Sequence, residues 1–211
     1  MRGVFLSFEG GEGSGKSLQA RRLEEELRRR GRDVVLTREP GGTAAGERIR
    51  EIVLHAQEIA LSPEAQVLLY STARAQNVRE VIRPALDAGK IVIADRFFDS
   101  TLAYQGYGHG VSLEQIRSVT SLAVGELVPD RTFLLDMAVD IGLGRSGWRA
   151  QSKWDRFEVL DHAFHERVRN GYLKLAAAEP TRWAVLDADR DEASIAADVR
   201  RAVDALLGAP A

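Results

Sequence analysis

The segment that most constrains this chain runs from Gly10 to Ser17 and reads G-G-E-G-S-G-K-S. It fits the pattern G-x-x-x-x-G-K-[ST], in which glycines allow successive backbone N–H groups to turn inward around a phosphate. In that pattern the lysine, here Lys16, reaches the β- and γ-phosphates of a nucleotide, and the Ser17 hydroxyl is placed to hold Mg²⁺. Such a loop follows a strand and opens a helix, and residues 4–8 and 17–30 have those patterns. The sequence therefore predicts a phosphate loop rather than an ordinary glycine-rich turn.

The composition limits what else the chain can be. Its 211 residues suffice for one domain with a sizeable core, and we expect a single domain over residues 1–211. A formal net charge of −2 gives no overall attraction to nucleic acid or to an anionic membrane, so we expect neither partner. No apolar stretch approaches membrane-spanning length, and the absence of cysteine suits a reducing cytoplasm. We therefore expect a cytoplasmic enzyme whose anion site is local.

Short apolar strands alternate with longer helical patterns along the whole chain. This alternation predicts an α/β fold in which a parallel five-stranded sheet carries helices on both faces. The predicted strands are residues 4–8, 33–37, 91–94, 132–135 and 183–186. The predicted helices are residues 17–30, 46–56, 63–86, a short helix ending near 107, 112–127 and about 192–207.

A second acidic group follows the third predicted strand. Asp95 comes directly after the apolar residues 91–94 and opens the segment D-R-F-F-D-S-T-L-A-Y-Q, residues 95–105. At the end of a strand beside the phosphate loop, its carboxylate can hold Mg²⁺ opposite Ser17, directly or through water. An acid at a strand end is otherwise commonplace, so the metal prediction depends on the residues around Asp95.

Segment 95–105 resembles the signature of the thymidylate kinase family, and other matches occur in the family's order. They are F-E-G at 8–10, R-E-P-G-G-T at 38–43, L-L-Y at 68–70, R-A-Q at 74–76 and D-R-F-E at 155–158. The resemblance covers residues 5–158, roughly three quarters of the chain. It implies the P-loop nucleoside monophosphate kinase fold and Mg²⁺-assisted phosphoryl transfer from ATP to dTMP, giving dTDP. It also implies a homodimer of the bacterial type, which carries arginines in its lid.

The resemblance assigns roles residue by residue. The ATP site would comprise Gly10, Gly11, Glu12, Gly13, Ser14, Gly15, Lys16, Ser17 and Arg156. The dTMP site would comprise Glu12, Arg38, Arg50, Tyr70, Arg74, Arg96, Thr101, Tyr104 and Gln105. Ser17 and Asp95 would hold the metal, and the catalytic cations would be Lys16, Arg96, Arg145 and Arg149.

The chemistry of a nucleotide acceptor agrees with several of these roles. An acceptor phosphate needs cations beyond the loop lysine, which Arg38, Arg50 and Arg96 would supply, although each could instead be a surface charge. Tyr70 and Arg74 are one helical turn apart and face the same way, as a stacking plate and a hydrogen-bond donor to thymine O4 would. The alternative is that Tyr70 belongs to the core.

The remaining acceptor roles come from the resemblance alone. Glu12 would receive the sugar 3′-hydroxyl or orient a metal-bound water, Thr101 and Gln105 would contact the base, and Tyr104 would disfavour a 2′-hydroxyl. Two positions depart from the family: Tyr70 stands where Phe is common, and Asn77 stands where His is common. Stacking survives the first change, and the second has no interpretation from the sequence.

Residues 142–157 resemble the lid of a nucleoside monophosphate kinase. Arg145, Arg149, Lys153 and Arg156 are spaced by four, four and three, so a helix would present them on one face. Some family members carry a catalytic arginine in the phosphate loop, at the position occupied here by Gly13. The lid must then supply that charge. The charged stretch after the lid, Asp161, His162, His165 and Glu166, is interpreted as solvated helix rather than as a metal cluster.

Three alternatives to this assignment differ in class. Another nucleoside monophosphate kinase would keep the fold and change only the base pocket. A guanine-specific switch would need an N-K-x-D segment, which the sequence lacks, and a partition ATPase would need a second lysine where Gly11 stands. An inactive binding module would not need Lys16, Ser17, Asp95 and the lid arginines together.

Overall fold

The computed structural model describes residues 2–56, 58–149, 157 and 160–208, and the side chains of all of these except 147–149. Across these ranges the chain forms one sheet of strands β1 (Val4–Gly10), β2 (Val34–Arg38), β3 (Ile91–Asp95), β4 (Arg131–Asp136) and β5 (Trp183–Asp187). The strands lie in the order β2-β3-β1-β4-β5, and every neighbouring pair is parallel. The predicted five-stranded parallel sheet is confirmed.

Helices follow the strands in the predicted order. The helices are α1 (Lys16–Arg29), α2 (Ala44–Arg50), α3 (Pro63–Asn77), α4 (Arg83–Asp87), α5 (Phe98–Thr101), α6 (Leu113–Val124), α7 (Val139–Arg149), α8 (His162–Ala178) and α9 (Glu192–Leu207). Three π-helical segments continue these helices: Glu51–His55 after α2, Val78–Ile82 between α3 and α4, and Leu102–Gly108 after α5. Within the described ranges, no helix is both long enough and apolar enough to cross a membrane.

Local signals explain where several helices begin and end. The side chains of Ser62 and Ser112 accept backbone N–H groups at the starts of α3 and α6, as N-cap residues do. The helix predicted over residues 112–127 ends instead at Val124, because Gly125 has φ 64°, a positive value that interrupts a helix and that glycine adopts without steric cost.

Helices cover both faces of the sheet because successive strand residues point in opposite directions. On one face, Leu6 and Ile93 pack with Leu23 of α1 and Val199 of α9 in a buried cluster. The opposite face carries two further clusters, one around Phe5 and one that joins Leu134 to α8. A strand covered on both faces must be apolar throughout, which accounts for the continuous apolar run of β3.

Helix α8 corrects the interpretation of residues 161–166. His162 is half exposed, but His165 is buried, seven residues or two helical turns before the buried Tyr172. Asp161 caps the helix by accepting the backbone N–H of Phe164 at 2.7 Å. The interpretation as solvated helix was therefore wrong for His165, because it weighed the charges and overlooked that His165 shares a helix face with Tyr172.

A buried ion pair ties segment 95–105 to the sheet. Arg182, just before β5, donates from both terminal nitrogens to Asp99 of α5, at 2.7 and 3.0 Å. The side chains of Arg182 and Asp99 are 8% and 0% exposed, and Arg182 also donates to the Thr132 hydroxyl of β4 at 2.9 Å. Arg182 also pairs with Glu179, whereas removal of Arg182 would leave the Asp99 charge buried without this counter-ion.

We predict that Arg182→Ala lowers the free energy of unfolding by about 3–5 kcal/mol, because Asp99 then keeps a buried, uncompensated charge. The control is Arg22→Ala, which removes the ion pair with Glu192, whose two side chains are 39% and 54% exposed. An exposed pair contributes about 0–1 kcal/mol, so the control should be close to wild type in urea unfolding. Equal losses in the two variants would contradict the role given to the buried pair.

Candidate active site

The pairing of β1 with β3 brings the two main motifs to one edge of the sheet. Phe8 is level with Asp95 in the parallel register, so both strands release their chains at the same carboxyl edge. The phosphate loop follows β1 and ends where α1 begins at Lys16. Gly13 and Gly15 have φ of 66° and 88°, conformations that glycine adopts without steric cost. The backbone N–H groups at the start of α1 therefore face the site, as an anion requires.

Lys16 lies across the phosphate loop. Its ammonium donates to the Gly11 carbonyl at 2.6 Å and to the Ser14 hydroxyl at 3.2 Å. Burial, followed by the positive charge of Arg96, lowers the pKa of Lys16 to about 8, although the neighbouring carboxylates oppose this. The loop, its helix N-terminus and this cation form a compact positive region able to bind a polyphosphate.

The two predicted metal ligands lie side by side. The Ser17 hydroxyl donates to the Asp95 carboxylate in a short hydrogen bond. An ionised carboxylate and a hydroxyl are the oxygen ligands that Mg²⁺ prefers, so the pair fits this metal. Among the described residues, no group of three or more His, Cys, Asp or Glu side chains could hold a metal ion. A metal here would complete its shell with water and phosphate oxygens, as Mg²⁺ commonly does.

Arg96, Glu12 and Tyr104 form a charged cluster beside the loop. Arg96 donates to Glu12 at 3.3 Å, the Tyr104 hydroxyl donates to the same oxygen at 2.5 Å, and the guanidinium lies 5.1 Å from the centre of the Tyr104 ring. Burial raises the pKa of Glu12, but the charges of Arg96 and Lys16 outweigh it and hold the pKa below its ordinary value. Glu12 is therefore ionised and accepts hydrogen bonds only.

Arg74 also lines the site and is buried, with a side chain 1% exposed. Its Nε donates to Glu39 at 2.6 Å, and its Nη2 donates to the Thr101 hydroxyl at 3.1 Å. Nη1 has no hydrogen-bond partner among the described residues. Burial raises the pKa of Glu39, against the opposing charge of Arg74. Arg74 thus carries an unused, buried N–H donor, which favours a ligand with an acceptor at that point.

Asn77, which had no interpretation from the sequence, supports the pair of Arg74 and Glu39 by contacting Glu39. Its carbonyl oxygen accepts the Thr37 hydroxyl at 2.9 Å, and its amide nitrogen donates to Glu39 at 3.4 Å. Sequence reasoning also gave no role to Glu39. The signal for both Asn77 and Glu39 is a polar side chain at a position that is buried in the protein core.

A cavity of about 370 Å³ connects these groups. Its lining includes all of the residues predicted for the dTMP site: Glu12, Arg38, Arg50, Tyr70, Arg74, Arg96, Thr101, Tyr104 and Gln105. Lys16, Ser17, Asp95 and the buried Phe157 also line it. At its mouth Arg38 donates to Glu47 at 2.9 Å and Arg50 donates to the Pro40 carbonyl at 3.0 Å. The cavity thus brings phosphate-binding groups together with the buried hydrogen-bonding groups around Arg74.

The predicted lid is described only in part. Arg145 on α7 donates to the Ala188 carbonyl at 3.0 Å and to Asp189 at 2.9 Å, between β5 and α9, and it does not line the cavity. The side chain of Arg149, together with Lys153 and Arg156, lies outside the described residues. Helix α7 begins at Val139, three residues before the predicted start of the lid.

Helix α7 also touches the phosphate loop through two glycines. A Cβ added to Gly13 would lie 2.0 Å from the Gly142 carbonyl oxygen, and one added to Gly142 would lie 2.4 Å from the Glu12 carbonyl oxygen. Both distances are far below a van der Waals contact, so neither position accepts a side chain without movement. This packing explains why position 13 cannot carry an arginine here.

We predict that Gly142→Ala weakens ATP binding about tenfold, because overpacking of this kind costs roughly 1–3 kcal/mol and must displace the loop or α7. Gly144→Ala is the matched control on the same helix, since a Cβ there meets nothing within 4 Å. Isothermal titration calorimetry should give that variant an ATP affinity close to wild type. If both variants bind ATP like wild type, the glycine contact does not position the loop.

Comparison with known proteins identifies the family of the chain. A sequence model described as thymidylate kinase matches residues 8–199. The thymidylate kinase of Deinococcus radiodurans is 50% identical over 202 residues, which cover 96% of this chain and 97% of that protein. That of Pseudomonas fluorescens is 49% identical over 207 residues, covering 98% and 96%. The solved structure of thymidylate kinase from Ehrlichia chaffeensis superimposes with a TM-score of 0.78 at 33% identity, covering 97% of this chain and 99% of that one. The chain belongs to the thymidylate kinase family.

Proposed function

We propose that the chain transfers the γ-phosphoryl group of ATP directly to a 5′-phosphate oxygen of dTMP. The bond between the γ-phosphorus and the β–γ bridging oxygen breaks as the new phosphorus–oxygen bond forms, giving ADP and dTDP. No side chain needs to act as a nucleophile, because phosphoryl transfer depends on positioning and charge stabilisation. The observation that carries the proposal is one cavity lined both by the phosphate loop and by buried Arg74, whose Nη1 has no hydrogen-bond partner among the described residues.

The donor end of the cavity suits ATP. Backbone N–H groups of the loop and the Lys16 ammonium would bind the phosphates, and Arg156 would help to clamp them. Ser17 and Asp95 would hold Mg²⁺, which when bound offsets the negative charge on the phosphate oxygens. The hydroxyl and carboxylate already adjoin, which supports their use as a pair.

The acceptor phosphate would lie between the loop and the arginines around it. Arg96 is the best placed, because it lies beside the loop and donates to Glu12. Arg38 and Arg50 at the cavity mouth would add charge from the opposite side. Guanidinium groups match phosphate oxygens in charge and fork geometry, so this set supports recognition of a monophosphate.

The sugar and base would occupy the inner half of the cavity. The Arg74 Nη1 would donate to thymine O4, Tyr70 would stack on the ring, and Thr101 and Gln105 would contact the base edge. Glu12 would accept the 3′-hydroxyl, for which its ionised state suits it. Tyr104, held against Glu12 and Arg96, would crowd a 2′-hydroxyl.

The lid and the assembly complete the proposal. Residues 142–157 would close over the phosphates, and Arg145 or Arg149 would approach the transferring group. Such a movement requires Arg145 to leave Asp189, an exposed and therefore weak ion pair. We also propose a homodimer, supported by the exposed Leu68 on α3 and Leu122 on α6, and a cytoplasmic location, supported by the cysteine-free sequence.

We predict that Lys16→Ala lowers dTDP formation from ATP and dTMP on the order of 10²-fold or more, since it removes a preorganised charge at the phosphates. Lys90→Ala is the control, because Lys90 precedes β3 at the opposite edge of the sheet. A coupled ADP assay with chromatographic detection of dTDP measures both variants. Near-normal dTDP formation by Lys16→Ala would contradict the proposed reaction.

We predict that Arg74→Lys lowers kcat/KM for dTMP roughly 10- to 100-fold, the loss of a hydrogen bond to a charged donor. Lysine keeps a positive charge beside buried Glu39 and loses the forked N–H groups, so the variant tests recognition rather than charge balance. The KM for ATP should stay within about twofold, because Arg74 donates to Glu39, Phe97 and Thr101 and to no residue of the phosphate loop. An unchanged kcat/KM for dTMP would remove Arg74 from the base site.

A further inference from the structure

Glu9 is a buried carboxylate that the reaction described above does not use. It is the penultimate residue of β1, its side chain is fully buried, and it does not line the cavity. Three donors converge on it: the Phe97 backbone N–H at 2.7 Å, the Ser100 hydroxyl at 2.6 Å and the Tyr172 hydroxyl at 3.0 Å. Burial of a carboxylate costs free energy, so a buried carboxylate that accepts three hydrogen bonds is a candidate for a functional role.

Two of the donors to Glu9 also contact Arg96. Arg96 Nη1 donates to the Ser100 and Tyr172 hydroxyls, each at 3.2 Å, and to the Gly10 carbonyl at 3.1 Å. The two hydroxyls lie 2.8 Å from each other, and either can donate in that hydrogen bond. An ionised Glu9 only accepts, so it draws the hydroxyl protons toward itself or leaves one shared between the two hydroxyls, and each hydroxyl oxygen keeps a lone pair for Arg96. The carboxylate thus anchors the hydroxyl pair that accepts from Arg96.

Glu9 also supports the backbone at Arg96. This residue has φ 71°, a left-handed conformation that is uncommon for a side chain of this size. The Arg96 N–H donates to the Phe8 carbonyl at 3.0 Å, and the next N–H, that of Phe97, donates to Glu9. Hydrogen bonds on both sides of the unusual residue hold the turn in place, as such strained positions require.

We propose that Glu9 is the positioning residue for Arg96: it fixes the left-handed turn and orients the two hydroxyls so that the guanidinium faces the acceptor phosphate. This inference rests on the proposed use of Arg96 with dTMP. The carboxylate touches neither substrate and acts only through Phe97, Ser100 and Tyr172.

The charges around Glu9 place its ionisation near neutral pH. Burial first, and then the negative charge of Asp99 on α5, raise the pKa of Glu9 to about 7, against the opposing effects of Ser100, Arg96 and the Phe97 N–H. Lys16 on α1 also faces it, and Tyr172 contributes from α8. A proton on Glu9 would displace one of the three donors, so use of dTMP should fall as the pH drops through about 7.

The same pKa shift has a defined sign for stability. The folded pKa of about 7 exceeds the ordinary 4.5, so the folded state binds this proton more tightly than the unfolded state. The ionised group therefore lowers stability progressively from pH 4.5 to 7, and fully above pH 7. An uncharged replacement should gain melting temperature relative to wild type as the pH rises across that window.

The test is Glu9→Gln. Its oxygen can still accept the Phe97 N–H, but its NH₂ group then faces the two hydroxyls and turns their protons toward Arg96. At pH 8 we expect kcat/KM for dTMP to fall about 10- to 100-fold, the range for a displaced positioning group, with the KM for ATP within about twofold. The inflection near pH 7 should disappear from kcat/KM for dTMP, while Lys16 titrates in both proteins. The melting temperature of the variant relative to wild type should rise from pH 5.5 to pH 8.

Asp130→Asn is the matched control, since the Asp130 carboxylate accepts the Phe5 N–H at the other end of β1. It should leave the kinetics for both substrates unchanged. Tyr172→Phe removes one hydroxyl without a charge change and keeps the test decisive if Glu9→Gln folds poorly. It should lower kcat/KM for dTMP with the same sparing of ATP.

The proposal is overturned if the folded variant uses dTMP like wild type at pH 8, or if it loses dTMP and ATP use equally. Should Glu9→Gln not fold, a Tyr172→Phe variant with wild-type kcat/KM for dTMP overturns it as well. These outcomes differ from a failure of the proposed function, in which the wild-type chain itself forms no dTDP from ATP and dTMP.

Discussion

The parallel hydrogen bonding of β1 with β3 is the constraint on which the site depends. With Phe8 level with Asp95, the phosphate loop and the turn at Arg96 emerge together at one edge of the sheet. β1 also pairs with β4 on its other side. The chain leaving β1 runs to β2 and the chain leaving β3 runs to β4, so the two connections run toward opposite sides of the sheet. Open parallel sheets bind ligands in the crevice at such points, and the cavity lies there.

Charges gathered in this crevice are arranged so that carboxylates hold the arginines. Glu39 holds Arg74 at its Nε, Glu12 contacts Arg96 directly, and Glu9 reaches Arg96 through two hydroxyls. The desolvation cost of a buried ion pair offsets most of its attraction, so such a pair adds little net stability. We therefore interpret these carboxylates as fixing the direction of each guanidinium. The arrangement leaves the Arg74 Nη1 without a hydrogen-bond partner among the described residues.

The sequence was sufficient to predict site residues where their signal is local, or where the topology of the sheet brings distant residues together. Lys16 and Ser17 follow from the spacing of one loop, and Asp95 follows because parallel strands end at the same edge. Glu9 carried a signal, a charged residue in an apolar strand, but its partners lie 88 to 163 residues away and could not be identified. The buried face of helix α8 was missed for a similar reason, because the spacing of its buried residues is interrupted by charges.

In the proposed function Arg74 donates a hydrogen bond to an acceptor atom of the pyrimidine ring, and a panel of acceptor nucleotides tests this most directly. The measurement is kcat/KM with ATP for dTMP, dUMP, dCMP and dGMP. Thymine and uracil present O4 as an acceptor, whereas cytosine presents an amino group that would face the Arg74 N–H. We predict that dTMP is the best substrate, that dUMP follows, and that dCMP is lower by about 10⁴-fold, since a site built for one hydrogen-bonding pattern rejects its opposite. Turnover of dCMP or dGMP as efficient as that of dTMP would contradict the account.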